Sequence, residues 1–95
     1  MRVVFRGAAL LDAEQAFDWL ENEQPGLGTR FTDLLDVAVD RIRLWPESAP
    51  EVYPGVRCVL VATFRHRVFY RVEPDRAVIL AVRHPSRDLP PPNEL

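Results

Sequence analysis

The sequence predicts an α+β fold in which a helical hairpin packs on a mainly antiparallel four-stranded sheet, in the order β-α-α-β-β-β. Three observations predict it. Apolar residues recur at helical spacing in the first half, they alternate or run on continuously in the second half, and a Pro-Gly pair separates two helical patterns. The 95 residues suit one domain, which we expect to span 1–87, followed by a Pro-rich tail at 88–95.

The first half opens with a short strand pattern, MRVVFR, and an amphipathic helix. Asp12 with Gln15 three residues later matches a capping box, which predicts a helix from that point, or from as early as Ala8, to Gln24. Pro25-Gly26 predicts its end, and Gly28 allows the chain to reverse tightly.

The second helix has the strongest periodicity in the chain. Its apolar stripe consists of Phe31, Leu34, Leu35, Ala38, Ile42 and Trp45. The short intervening loop predicts an antiparallel hairpin with the first helix. Val37, Val39 and Leu44 widen the stripe, and we expect them to face the sheet; the alternative is a hydrophobic patch for a partner. Pro46, which ends this helix, is followed by Pro50 and Pro54, a spacing that predicts an extended crossover.

Three strand patterns follow, at Val56–Ala62, Phe64–Glu73 and Arg76–Arg83. The middle one alternates, which predicts one apolar face and one basic face. The last has a continuous apolar centre and should lie inside the sheet, covered on both faces. Three consecutive prolines in the tail DLPPPNEL exclude regular pairing, so we expect a free or partner-bound extension.

Charge is divided unevenly along the chain. The net charge is −2 and all twelve basic residues are arginine, yet residues 1–50 carry −4 and residues 51–95 carry +2. The segment from Arg57 to Arg87 contains seven arginines and only two acidic residues. This pattern favours a local basic face for a defined anionic partner surface over general or sequence-specific nucleic-acid binding, and a solvated sheet face is the alternative.

Residues for other chemistry are sparse. His66 and His84 lack a second ligand at metal-binding spacing, no cofactor motif occurs, and Cys58 suits a small core residue in a reducing compartment. Neither a signal peptide nor a membrane span is indicated, so we expect a cytoplasmic protein. His84 is the one obvious proton-transfer residue near the arginines, which amounts to half of a ribonuclease site.

The chain resembles the toxins of the RelE/ParE superfamily, which belong to bacterial toxin-antitoxin operons. The similarity rests on ALLDAEQAFDWLENEQPGLGTRF, on LLDVAVDRIRLWPESAP and on TFRHRVFYRVEPDRAVILAVRHPSRD, taken in this order over almost the whole chain. It implies a small sheet with a helical hairpin against it, a ParD-like antitoxin whose tail wraps the toxin, and a higher-order hetero-oligomer.

The superfamily contains two activities, and the sequence departs from the pattern of each. A lysine and a tyrosine after Tyr70, expected in the ribosome-dependent nucleases, are absent, and Phe64-Arg65-His66 stands where many gyrase poisons have Phe-Pro-Tyr. The resemblance favours a ParE-like poison of DNA gyrase. The alternatives are a RelE-like mRNA endonuclease and a non-toxic regulator that only binds its antitoxin.

Each interpretation names its own residues. The gyrase hypothesis assigns target binding to Arg67, Arg71, Arg83, His84 and Arg87, with no catalytic residue and with Arg57 supporting the sheet. The nuclease hypothesis assigns acid-base chemistry to His84 and phosphate contacts to Arg57, Arg67 and Arg83. Trp19, Phe31 and Trp45 are candidate anchors for the antitoxin, and each suits a core role equally well.

Overall fold

Two helices pack on one face of a five-stranded sheet in the computed structural model, which describes residues 1–95. The elements are β1 (Arg2–Phe5), α1 (Gly7–Glu23), α2 (Leu27–Leu44), β2 (Glu51–Tyr53), β3 (Val56–Leu60), β4 (Arg67–Val72), β5 (Arg76–Arg83) and a 3-10 turn (Pro92–Glu94). Neither helix is long and apolar enough to cross a membrane.

The sheet has the order β1-β5-β4-β3-β2, in which β1 runs parallel to β5 and all other pairs are antiparallel. This confirms the α+β class, the helical hairpin and the interior position of the last strand. The strand count of four was wrong because Glu51 pairs with Arg57, which makes β2 a fifth strand. Its flanking prolines fit there, since an edge strand needs no amide donors on its outer side.

The first helix starts earlier than its capping pattern predicts. It begins at Gly7, because the run of alanine and leucine after that glycine favours helix, and Asp12 therefore lies inside α1 and does not cap it. At the turn, Gly26 takes a left-handed φ of 91°. The Glu21 carboxylate accepts the amide hydrogens of Gly26 and Gly28 at 2.9 and 3.0 Å, and so caps α2.

The main core lies between the helices and the sheet. Its buried residues are Ala9, Leu20, Phe31, Leu35, Ile42, Val61, Val68, Tyr70, Ala77, Ile79 and Val82. Val39 packs against this core, but Val37 and Leu44 are 53% and 52% exposed. The expectation that all three face the sheet was therefore wrong for two of them, which lie outside the buried stripe of α2.

The opposite face of the sheet is also partly apolar. Phe69, Val78, Leu80 and Ala81 form a second buried cluster, with Leu95 from the tail packed against it. A bulge contributes to it: Phe69 pairs with Ala81 but Tyr70 pairs with Ile79, so Leu80 is an extra residue. The prediction of a basic second face therefore holds only in part, because Arg67 and Arg71 lie on that face but Phe69 between them belongs to an apolar cluster.

The tail covers this second cluster and is not a free extension. The Tyr53 hydroxyl donates to the Pro90 carbonyl at 2.7 Å, and the Arg6 guanidinium donates to the Glu94 carbonyl at 2.8 Å. Prolines exclude strand pairing but leave carbonyl acceptors, and side chains from the sheet use them.

The β3–β4 connection shortens both strands relative to the prediction. Thr63 and Arg65 take left-handed φ values of 69° and 64°, so the chain turns there and β4 begins only at Arg67. The amide of Val61 donates to the His66 carbonyl at 2.9 Å and closes this turn. His66 still reaches the core, where its ring lies 4.8 Å from that of Phe31.

Candidate functional site

Four of the five predicted target-binding residues meet at one end of the sheet. Arg67 in β4 pairs with Arg83 in β5, His84 follows directly, and the Arg67 guanidinium donates to the Arg87 carbonyl at 2.8 Å. We call Arg67, Arg83, His84 and Arg87 the basic end. β4 and β5 are neighbouring inner strands, so this constellation lies on the interior of the sheet and not at an edge strand.

Two other predicted arginines lie elsewhere. Arg71 is four residues further along β4 and pairs with Glu73 at 3.3 Å, away from the basic end. Arg57 is opposite Tyr70 on the helical face, where it donates to the carbonyls of Glu47 and Ala49 at 3.0 and 2.6 Å. Arg67 belongs to the other face, since side chains alternate along β4. The three arginines named as phosphate contacts therefore do not converge.

Arg83 is the least available cation of the basic end. Its side chain is 18% exposed, its Nε lies 3.6 Å from Asp12 Oδ2, and its Nη1 lies 4.0 Å from Glu94 Oε2. The buried Nε has no hydrogen-bond partner. Two carboxylates therefore balance its charge, while Arg67 and Arg87 face solvent more freely.

A cleft of about 330 Å³ separates α1 from the end of β5 and is lined in part by Asp12, Trp19, His66, His84 and Arg87. Trp19 is 56% exposed, and its ring stands edge-on to that of His84, with 6.0 Å between centroids. The rings of His84 and His66 are 5.1 Å apart. The cleft thus joins an exposed aromatic surface to the basic end.

The two histidines differ in environment. Burial, and secondarily the neighbouring His84, lower the pKa of His66, so the His66 ring is neutral at pH 7. His84 Nδ1 accepts the Ser86 amide hydrogen at 3.0 Å and lies 2.7 Å from the Ser86 hydroxyl. This arrangement assigns the proton of neutral His84 to Nε2. Burial also raises the pKa of the Cys58 thiol, which excludes a reactive thiolate.

The three aromatic anchor candidates differ in how much of each side chain is exposed. Phe31 has no exposed surface and packs in the core, so of its two roles the core role is the one observed. Trp45 is 61% exposed and borders an apolar pocket of about 400 Å³ with Leu60, itself 42% exposed. Trp19 is exposed at the cleft.

Sequence reasoning missed two residues at this site. Asp12 has the pattern of a helix cap and Glu94 lies in a proline-rich tail, yet both approach Arg83. Asp12 accepts a hydrogen bond from the amide of Val82, which is 70 residues away in the sequence. No local pattern could indicate either contact, because both depend on how β5 is placed beside α1 and the tail.

The geometry of this chain is thus a helical hairpin on a small mixed sheet with arginines at one end, and the family comparison assigns it to a class of toxins. The model of the family described as "ParE toxin of type II toxin-antitoxin system, parDE" matches residues 3–89. The chain therefore belongs to the ParE toxin family, and it is a toxin component whose partner is a cognate antitoxin.

A solved structure from P. aeruginosa has the same fold. It is titled "Chromosomal ParDE TA system from P. aeruginosa" and superposes with a TM-score of 0.78 at 17% sequence identity, covering 88% of this chain and 95% of that chain. No curated protein sequence matches the chain.

Proposed function

We propose that this ParE-family toxin poisons DNA gyrase in the cytoplasm through its basic end, and that a ParD-like antitoxin neutralises it. The observation that carries the proposal is that Arg67 and the exposed Arg87 lie at the same end of the sheet as His84, while the other histidine of the cleft, His66, is buried and has a lowered pKa. The family match supports it as well.

The surroundings of His84 disfavour RNA cleavage. Such a reaction needs both a base and an acid, together with cations on the scissile phosphate. His66 is 5% exposed and its pKa is lowered, so it is a poor partner for this task. Asp12 and Glu94 approach Arg83 and would repel a phosphate there. A protein surface that carries carboxylates is a suitable partner for Arg67 and Arg87, because arginine can bind carboxylate in a two-pronged geometry.

The antitoxin is proposed to contact both exposed tryptophans. Trp45 and Leu60 border the apolar pocket beside the end of α2, which offers an anchor site for a large apolar side chain. Trp19 lines the cleft at the basic end. A segment that covers Trp19 would also cover His84 and Arg87, so neutralisation would follow from occlusion of the target-binding surface within a toxin-antitoxin hetero-oligomer.

Purified gyrase, supercoiled DNA and the toxin test the target. We expect cleaved DNA to accumulate with the wild type, and Arg87→Glu to raise the half-maximal toxin concentration by about tenfold or more, as for a lost charge pair. Arg71→Glu reverses a charge elsewhere on the same strand pair and should change that concentration by less than about threefold.

Equal effects of Arg87→Glu and Arg71→Glu would contradict the role of the basic end. The gyrase target itself would be contradicted if the wild type left DNA intact while mRNA was cut on translating ribosomes. For the antitoxin, Trp45→Ala should weaken binding of the co-encoded protein by about tenfold or more yet leave gyrase poisoning unchanged. Unchanged antitoxin affinity would exclude this anchor.

A further inference from the structure

We infer that Asp12 is a positioning residue for the basic end. Its carboxylate accepts a β5 backbone hydrogen bond that a neighbouring strand would otherwise accept, and it attracts Arg83. This inference rests on the proposed target-binding role of the basic end. Asp12 lies on α1 and is therefore distant in sequence from the strands that carry the arginines.

The need for such a residue comes from unequal strand lengths. β1 pairs with β5 only as far as Phe5 opposite Ile79, whereas β5 continues to Arg83. The last four residues of β5 therefore lack a neighbour strand on that side. Their backbone polar groups are partly buried and require other hydrogen-bond partners.

The backbone amide of Arg6 and the side chains of Arg6 and Asp12 supply hydrogen-bond partners in order along β5. The Arg6 amide donates to the Ile79 carbonyl at 3.1 Å, and Arg6 Nε donates to the Leu80 carbonyl at 2.8 Å. Asp12 Oδ2 then accepts the Val82 amide hydrogen at 3.0 Å. Arg6 and Asp12 thus continue the hydrogen bonding that β1 begins, and Asp12 provides the last bond before Arg83.

The same carboxylate also orients the first target-binding arginine. Asp12 Oδ2 lies 3.6 Å from Arg83 Nε, a buried group with no hydrogen-bond partner. The two side chains are 23% and 18% exposed, so their attraction is screened less than that of a surface pair. One oxygen therefore accepts the hydrogen bond from the Val82 amide and attracts the guanidinium of Arg83.

The position of Asp12 on α1 connects this contact to the cleft. Asp12, Gln15 and Trp19 recur at helical spacing, and all three line the cleft at the basic end. The same side of α1 therefore lines the cleft and carries the carboxylate that hydrogen-bonds β5. His84 and Arg87 lie shortly after Val82 in the chain, so their placement depends on where this bond holds the end of β5.

Two substitutions separate the two contacts. Asp12→Asn retains an oxygen acceptor for the Val82 amide but removes the charge beside Arg83, whereas Asp12→Ala removes both. Asp18→Ala is the matched control, because Asp18 is an exposed acid on the same helix that does not line the cleft. All variants are studied in the full chain.

Amide hydrogen exchange at Val82, measured by NMR in the folded protein, reports on the backbone bond independently of gyrase. Asp12→Ala should accelerate exchange at Val82 by about tenfold, the equivalent of one lost hydrogen bond, and Asp12→Asn by less than about threefold. The same substitutions should raise the half-maximal concentration for gyrase-dependent DNA cleavage by about tenfold and about threefold, and Asp18→Ala should leave both quantities unchanged.

The outcomes distinguish this inference from the proposed function. If the wild type does not poison gyrase, the proposed function fails, and the Val82 exchange still decides whether Asp12 holds β5. Lost poisoning in Asp12→Ala without faster Val82 exchange would overturn the positioning role, as would wild-type values of both. If Asp12→Ala does not fold, Asp12→Asn carries the test through the Arg83 Nε–H resonance, which should shift; an unshifted resonance would overturn the inference.

Discussion

The two faces of the sheet are both buried, but they are covered in different ways. Eleven buried residues form the core between the sheet and the two helices, each of which satisfies its own backbone hydrogen bonds. Four lie beneath the tail, whose three consecutive prolines provide no amide donors. The tail is held by single bonds from side chains of the sheet, such as that from Tyr53 to Pro90. A helical layer should therefore resist local opening, while the tail layer should open below the global unfolding free energy.

Two tyrosines form the same kind of hydrogen bond on the two faces of the sheet. The Tyr70 hydroxyl donates to the Pro46 carbonyl on the helical face, and the Tyr53 hydroxyl donates to the Pro90 carbonyl on the tail face, both at 2.7 Å. Tyr70 is 1% exposed and burial raises its pKa, whereas Tyr53 is only half-buried. The same bond thus operates in two different dielectric surroundings.

The largest effect should come from the centre of the helical face. Phe31→Ala removes a fully buried ring that contacts Phe64 and His66, and should lower the free energy of unfolding by about 3–5 kcal/mol in urea titration. Val37→Ala, at an exposed position of the same helix, should change it by less than about 0.5 kcal/mol. A small loss at Phe31 would mean that the helical layer is looser than its packing indicates.

The next effect concerns how closely the two helices approach. A Cβ at Gly28 would lie 2.8 Å from the Phe17 carbonyl oxygen and 2.9 Å from Phe17 Cδ2, so Gly28→Ala should destabilise by about 1–3 kcal/mol. Gly7→Ala is the control, because nothing lies within 4 Å of its Cβ and alanine favours helix. Thermal unfolding of both variants would show a lower Tm for the first alone; equal Tm values would disprove the tight approach.

The tyrosine pair tests the comparison of the two faces directly. Tyr70→Phe should cost about 1–2 kcal/mol, because Tyr70 is 1% exposed and loss of its hydroxyl leaves the Pro46 carbonyl without a donor. Tyr53→Phe should cost about 0.5 kcal/mol, because Tyr53 is only half-buried and water reaches its side chain more easily, yet it should accelerate amide exchange at Leu95 in the tail. If Tyr53→Phe cost as much as Tyr70→Phe, the tail would have to be an integral layer of the fold.

The smallest effect is a pH dependence on the helical face. The folded-state pKa of His66 is lowered, so as the pH falls through about 6.5 the unfolded chain takes up this proton before the folded one does. Its contribution should therefore be fully present above that pH and should be lost progressively below it. The free energy of unfolding between pH 5 and 7.5 should fall less steeply in His66→Gln than in the wild type. Parallel curves would contradict the assignment.

Much of the helical face could be predicted from sequence, for a physical reason. Burial leaves a visible pattern in the sequence, as helical spacing in the stripe from Phe31 to Ile42 and as a continuous apolar run in the centre of β5. Both segments are buried in the structure. Val37 lies just beside that stripe, and periodicity could not tell that its side chain is exposed.

The tail face and part of the basic end could not be predicted in this way. Their contacts join residues far apart in sequence, as Asp12 joins Val82, and they end on carbonyls and amides that every residue possesses. Alternation along β4 did indicate that Arg67 and Arg71 share a face, but it could not show that Arg71 pairs with Glu73 away from Arg83. The convergence of four residues at the basic end followed from strand register, which the turn at Thr63 and Arg65 helps to set.

Several arginines of this chain act as ligands for the backbone. Arg6, Arg57 and Arg67 together donate to five main-chain carbonyls, and Arg6 and Arg57 each hold two of them. A lysine would keep the charge but offers a single ammonium in place of a planar group with five donors. Over evolutionary time these positions should therefore accept lysine less readily than Arg71, and a relative that has exchanged Arg57 should also have remodelled the crossover whose carbonyls that side chain binds.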